Sequence, residues 1–153
     1  MLREGLRLSR RHQAWLHGAS ALLFTTGALW LVFHHYVRVP GEFGSEPHPL
    51  ESWWLKLHGA AAMGFLVLLG TVVRGHVPGG WRSGRNRLSG AGLTTVNLFL
   101  IGSGWSLYYI ASEATRPILS VAHWGVGLAL PAGLLFHARK GIASRRAKGT
   151  DLN

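Results

Sequence analysis

The stretch HQAWLHGASALLFTTGALWLVFHHYV, from His12 to Val37, contains no Asp, Glu, Lys or Arg and lies between Arg11 and Arg38. A bilayer core is crossed by about 20 predominantly apolar residues in a helix. A chain that carries such a run must either bury it entirely in protein or place it in lipid. Three more charge-free runs follow, Leu57 to Val73, Leu88 to Ser112 and Pro117 to Ala138. Together they take up most of 153 residues, so there is no protein left over to bury them. The sequence predicts four membrane-spanning helices over approximately 13–36, 53–74, 88–111 and 117–138. The second is lengthened outward by Trp53 and Trp54, which favour the headgroup region, and Pro117 suits a first helical turn. The fold class expected is all-α, an integral membrane four-helix bundle forming a single transmembrane domain.

Composition supports lipid as the solvent. Charged residues make up 14%, against about 25% in an ordinary soluble domain. The formal net charge of +10 could suggest nucleic acid, but that footprint requires basic residues spread along a soluble face. Here they sit in short blocks between the apolar runs, and no nucleic-acid partner is expected. The first run is too long for a signal peptide and is followed by no small-residue cleavage site before Arg38, so a retained helix is expected.

The blocks give an orientation through the excess of Lys and Arg on cytoplasmic loops. Arg3, Arg7, Arg10 and Arg11, then Arg74, Arg82, Arg85 and Arg87, then Arg139, Lys140, Arg145, Arg146 and Lys148 all fall on one side, against Glu4 and Asp151. On the other side Arg38, Lys56 and Arg116 are outnumbered by Glu42, Glu46, Glu51 and Glu113. Both termini are predicted cytoplasmic. Tyr36, Trp53, Trp54, Trp105, Tyr108 and Tyr109 then gather at the outer interface. The segments VPGEFGSEPHP and VPGGWRSGRNR are rich in Gly and Pro and read as loops. No stretch is left for a folded soluble domain, so a complete enzyme for a large water-soluble substrate is not expected.

The chain has nine His and no Cys. The missing thiols exclude disulfides, iron–sulfur ligation and covalent haem attachment through Cys. Ionisable residues inside a span are functional candidates by default, and neutral imidazole is a good ligand for iron, with bis-His ligation from facing helices holding a haem in a bundle core. His123 and His137 are 14 residues apart on the fourth run. At 3.6 residues per turn they project from nearly one face, separated by about 21 Å along the axis. Pro131 lies between them and is expected to kink the helix. His17 is level with His137 near the cytoplasm, and His58 is level with His123 near the outer side. Two depth-matched pairs result. Leu16-His17-Gly18-Ala19 and Leu57-His58-Gly59-Ala60 repeat the same four residues, and Gly beside His permits close approach of a bulky ring. Gly64, Gly70, Gly125, Gly127 and Gly133 extend that small-residue surface. His76, 18 residues from His58, is the alternative inner ligand; His35, 18 residues from His17, is the alternative outer one. His12, His34 and His48 are weaker candidates, and Asn97 with Thr94 and Thr95 is assigned to hydrogen bonding between helices.

A four-span chain with single His near the start of the first two spans and two His 14 apart on the fourth resembles the bacterial transmembrane di-haem b-type cytochromes. These include the gamma subunits of formate dehydrogenases, the cytochrome b subunits of nickel–iron hydrogenases and the small di-haem quinol-oxidising cytochromes. The resemblance implies two non-covalent haem b groups, with His17 and His137 on the cytoplasm-side iron and His58 and His123 on the outer one. It places the chain in a bacterial inner membrane as part of a complex or a homodimer. The partner it implies is a larger oxidoreductase or a periplasmic cytochrome. The chain is shorter than the typical gamma subunit and has no extended cytoplasmic docking segment.

Two haems across the bilayer would carry electrons between a quinone or quinol pool and that redox partner. Lys56 and Arg116 outside, and Arg10, Arg11 or Arg74 inside, are the candidate partners for haem propionates, and the same residues serve as ordinary snorkelling side chains. For a quinone the choices are His76 and Trp81 with the inner Arg cluster, or Trp105, Tyr108 and Tyr109 outside. The competing readings are a non-haem membrane protein that handles a metal or assists assembly, and a structural anchor. Transport is disfavoured because no span contains a buried acidic or basic relay residue.

Overall fold

The computed structural model describes residues 9–82, 84 and 86–150, with side chains described up to residue 143. Arg3, Glu4, Arg7, Arg85 and Asp151 lie outside the described residues, as do the side chains of Arg145, Arg146 and Lys148, so the charge count at these positions stays a sequence argument. The order is α1 (Arg10–Tyr36), β1 (Arg38–Gly41), β2 (Gly44–Pro47), α2 (Pro49–Arg82), α3 (Arg87–Tyr109) and α4 (Arg116–Thr150). The chain is thus predominantly helical, as its apolar runs require.

Three helices are long and apolar enough to cross a membrane: Arg10–Tyr36, Pro49–Arg82 and Arg116–Ala143. The third expected span, α3, has 23 residues, or about 34 Å at 1.5 Å per residue. It has the length, but Ser89, Thr94, Thr95, Asn97 and Ser103 together with its glycines lower its apolarity. Those polar residues matter below.

The chain divides into two compact units, Met1–His76 and Val77–Asn153. In the first, α1 and α2 run antiparallel: His12 meets Thr71, Thr26 meets His58 and His34 meets Glu51, so positions climb on one helix as they fall on the other. Ser9 caps α1, its hydroxyl accepting from the His12 N–H at 3.1 Å. In the second, α3 and α4 pack as an antiparallel pair. Arg116 terminates α3, its guanidinium donating to the carbonyls of Leu107 (2.5 Å) and Ala111 (3.0 Å). Asn86 precedes α3 in the left-handed region at φ 53°.

Two expectations about loops are corrected. The segment after the first helix forms an antiparallel hairpin, with Arg38 opposite Pro47 and Gly41 opposite Gly44. The tip is Glu42–Phe43, and Gly44 has φ +119°, a conformation that Gly adopts without a Cβ penalty. Phe43 is 94% exposed. The segment after Arg74 continues α2 to Arg82 through Pro78. Proline removes one backbone donor, but a helix already extended by about eight turns before it needs no new nucleation, so one missing bond does not end it. The fourth helix likewise runs past Ala138 to Thr150, since Ala, Arg, Lys and Ile after it are compatible with helix.

No apolar side chain is buried among the described residues, and large ones such as Trp15, Met63, Val67, Leu98 and Ile118 are more than half exposed. Apolar surface of this extent is what a lipid-facing helix presents. The only buried side chains described are the two hydroxyls of Thr26 (3% exposed) and Ser103 (5%).

Candidate metal-ligating histidines

Three of the four predicted ligands have the same local environment. In the first unit, His58 Nδ1 on α2 is 3.0 Å from the carbonyl of Leu23 and 3.2 Å from Thr26 Oγ1, both on α1. In the second, His123 Nδ1 is 2.8 Å from Ser103 Oγ and His137 Nδ1 is 3.0 Å from Ser89 Oγ, each joining α4 to α3. Both α4 histidines therefore face α3, and the expectation that they share a face holds across Pro131.

At His58 the Leu23 carbonyl, which can only accept, takes the Nδ1 proton, so the lone pair lies on Nε2. At His123 and His137 the partner is a hydroxyl, which can give or take a hydrogen bond. Each of these hydroxyls also has a carbonyl of its own helix in reach, Leu100 at 3.3 Å for Ser103 and Asn86 at 3.1 Å for Ser89. With the hydroxyl hydrogen on that carbonyl, the serine accepts from Nδ1–H and the lone pair lies on Nε2, as in His58. A metal-ligating His is held in this way, its other ring nitrogen donating to a fixed acceptor that sets tautomer and orientation.

Each hydroxyl is followed by glycine. A Cβ added at Gly27 would lie 3.1 Å from His58 Cε1, one at Gly104 3.3 Å from His123 Cε1, and one at Gly90 3.8 Å from His137 Cε1. The Ser/Thr residue holds the ring; at Gly27 and Gly104 the absent Cβ makes room for it, whereas at Gly90 a Cβ would meet only ordinary contact. These partners were missed in the sequence, although a signal existed: Ser89-Gly90 and Ser103-Gly104 are separated by the same 14 residues as His123 and His137. Two antiparallel helices with equal spacings meet at both points. Of the glycines expected to extend the small-residue surface, Gly64, Gly70 and Gly125 border open space, Gly127 meets Leu100 and Gly133 meets Leu93.

The remaining histidines differ in which ring nitrogen is engaged. His12 bonds through Nε2, 2.9 Å from Thr71 Oγ1, whose hydroxyl also reaches the Leu68 carbonyl. His48 Nδ1 accepts from the Leu50 N–H at 3.1 Å. Neither has the Nδ1–H pattern. His34 Nδ1 binds Glu51 at 2.6 Å and its ring stacks on Trp30 at the C-terminal end of α1, 44% exposed. His35 packs edge-on against the His34 ring. His76 has a buried Nδ1 with no hydrogen-bond partner among the described residues. His17 is exposed and has no hydrogen bond among the described residues, so it is the one predicted ligand without a supporting hydroxyl.

Lys56 Nζ lies 4.8 Å from the Trp53 ring centroid, and Arg116 caps α3 as described. Arg11 and Arg74 make no ion pair among the described residues. Asn97 and Thr94 bond carbonyls of their own helix, Leu93 (2.8 Å) and Gly90 (3.0 Å), and not a neighbouring helix as expected; a carbonyl one turn back is the nearest acceptor for a short side chain in lipid. Trp105 and Tyr109 pack at 5.6 Å near the end of α3. Among the described residues no three His, Asp or Glu side chains converge on a common point, so a site of the structural-zinc kind is not formed there. No protein-family model, curated protein or solved structure matches the chain.

Proposed function

We propose that this chain is a membrane cytochrome b that carries electrons across the bilayer between a quinone or quinol pool and a redox partner protein. The observation that carries this reading is the common state of His58, His123 and His137. Each is held at Nδ1 by a hydroxyl on the neighbouring helix, joined at His58 by a carbonyl, the arrangement that suits a ring whose Nε2 carries the lone pair. Hydroxyl groups are the only buried side chains described in an otherwise apolar, lipid-suited surface. A neutral, oriented imidazole is the donor that a bis-His haem requires, and without Cys no thiolate competes with it. These residues fit the group.

The pairing rests on depth in the sequence: His58 with His123 toward the outer side, and His137 with His17 toward the cytoplasm, His76 being the alternative inner ligand. When bound, the two haems supply one-electron chemistry. The chain's own residues supply axial ligation, fixed ring orientation and an environment that excludes water. Both termini are placed in the cytoplasm, with Lys56 and Arg116 near the outer haem and Arg11 and Arg74 near the inner one. The setting proposed is a bacterial inner membrane, with a larger oxidoreductase or a periplasmic cytochrome as partner.

The test is the reduced-minus-oxidised visible spectrum of protein purified from haem-replete cells. A b-type signal with two haems per chain supports the reading, and a colourless preparation overturns it in favour of a metal-handling, assembly or anchor protein. His123→Ala and His137→Ala should each remove one haem. If His17→Ala keeps both while His76→Ala does not, the inner ligand is His76.

A further inference from the structure

The serine pair on α3 has a more specific role than filling a helix interface. We infer that Ser103 and Ser89 are positioning residues that set the tautomer and basicity of His123 and His137, and that Thr26 does the same for His58. This rests on the reading of these histidines as iron ligands.

Three observations carry it. First, each hydroxyl lies within hydrogen-bond distance of a carbonyl of its own helix, at 3.3 Å for Ser103 and 3.1 Å for Ser89, which can take its hydrogen and leave a lone pair for the imidazole N–H. Second, Ser103 and Thr26 are the two most buried side chains described, so water does not substitute readily for them. Third, Gly104 and Gly27 leave the ring edge in near contact with the backbone, which restricts the ring plane at His123 and His58. In lipid, a polar side chain on a helix facing another helix carries a desolvation cost. Serine at both α3 positions lowers the apolarity of that helix, a cost offset where each hydroxyl has a ring to hold.

The chemistry gives a direction. An acceptor on Nδ1–H increases electron density at Nε2 and strengthens its donation to a metal, more for the higher oxidation state. Removing the acceptor weakens the ferric state preferentially and raises the midpoint potential. Second-shell partners of metal-bound His typically change metal affinity by about 10- to 100-fold. A tenfold preferential loss for the ferric state corresponds to about 59 mV upward for a one-electron couple.

The experiment compares Ser103→Ala, Ser103→Thr, Ser89→Ala and Ser89→Thr with the parent protein in detergent. In haem-loaded protein, redox titration should show one haem shifted upward in each Ala variant, a different haem in the two cases, with the Thr variants returning to the parent value. In haem-free protein, 15N NMR of labelled His should show loss of the Nδ1-protonated form at one His per Ala variant and its return with Thr. The inference is overturned if the Ala variants leave both potentials and the 15N pattern unchanged, or if Thr fails to rescue while the variant remains folded. If the parent protein binds no haem but the 15N changes follow this pattern, the positioning role stands and the cytochrome reading fails. If haem is present and the 15N pattern is unmoved, the reverse holds.

Discussion

Substituting the three glycines that border the histidine rings should give a graded series. At Gly27 a Cβ would stand 3.1 Å from His58 Cε1 and 3.2 Å from Nδ1. Carbon atoms rest at about 3.5–4.0 Å, so Gly27→Ala forces the ring away from α1 by roughly 0.4 Å or more. The Thr26 hydrogen bond is already 3.2 Å long, and the same retreat lengthens it to about 3.6 Å, beyond a hydrogen bond. Overpacking costs about 1–3 kcal/mol and a side-chain hydrogen bond within a membrane is worth roughly 0.6 kcal/mol. Against this, Ala is favoured over Gly in a helix by about 0.5–1 kcal/mol. The net expected for Gly27→Ala is a destabilisation of about 1–2 kcal/mol. Gly104→Ala, at 3.3 Å, should be milder. Gly90→Ala, at 3.8 Å, meets ordinary contact and should gain about 0.5–1 kcal/mol, like Gly64→Ala, where the added methyl faces open space. The assay is unfolding in mixed micelles with increasing denaturing detergent, followed by circular dichroism. Equal stabilities for Gly27→Ala and Gly64→Ala, or a larger loss at Gly90 than at Gly27, would refute the packing argument.

Two other outcomes follow from single contacts. Arg116→Ala removes the donors to the Leu107 carbonyl in the last turn of α3 and to the Ala111 carbonyl just beyond it and should lower stability by about 1–2 kcal/mol in the same assay, whereas Lys56→Ala, with one exposed ring contact, should change it by less than about 1 kcal/mol. For orientation, Phe43→Cys at the exposed hairpin tip should react with a membrane-impermeant maleimide added to the outside of intact cells, while Ser9→Cys should react only after lysis. The opposite pattern would invert the charge-based topology.

The helical nature of the chain was legible because apolar runs bounded by charges leave few alternatives. The ends were less so. Gly and Pro after Arg74 read as a loop, yet an established helix passes through Pro78. The Gly and Pro of VPGEFG read as loop, yet they close a hairpin because its two-residue tip needs Gly44 at positive φ. His58, His123 and His137 were singled out from spacing and depth alone. Their supporting hydroxyls were not, since Ser and Thr in a helix ordinarily bond their own backbone, as Thr94 does here.

By itself the sequence determined that the chain suits lipid and that it offers no Cys for thioether attachment of a haem, because charge distribution and the lack of Cys depend on no contact. Only the tertiary structure decided what stands at Nδ1 of His58, His123 and His137, because that follows from where the neighbouring helices bring Thr26, Ser103 and Ser89.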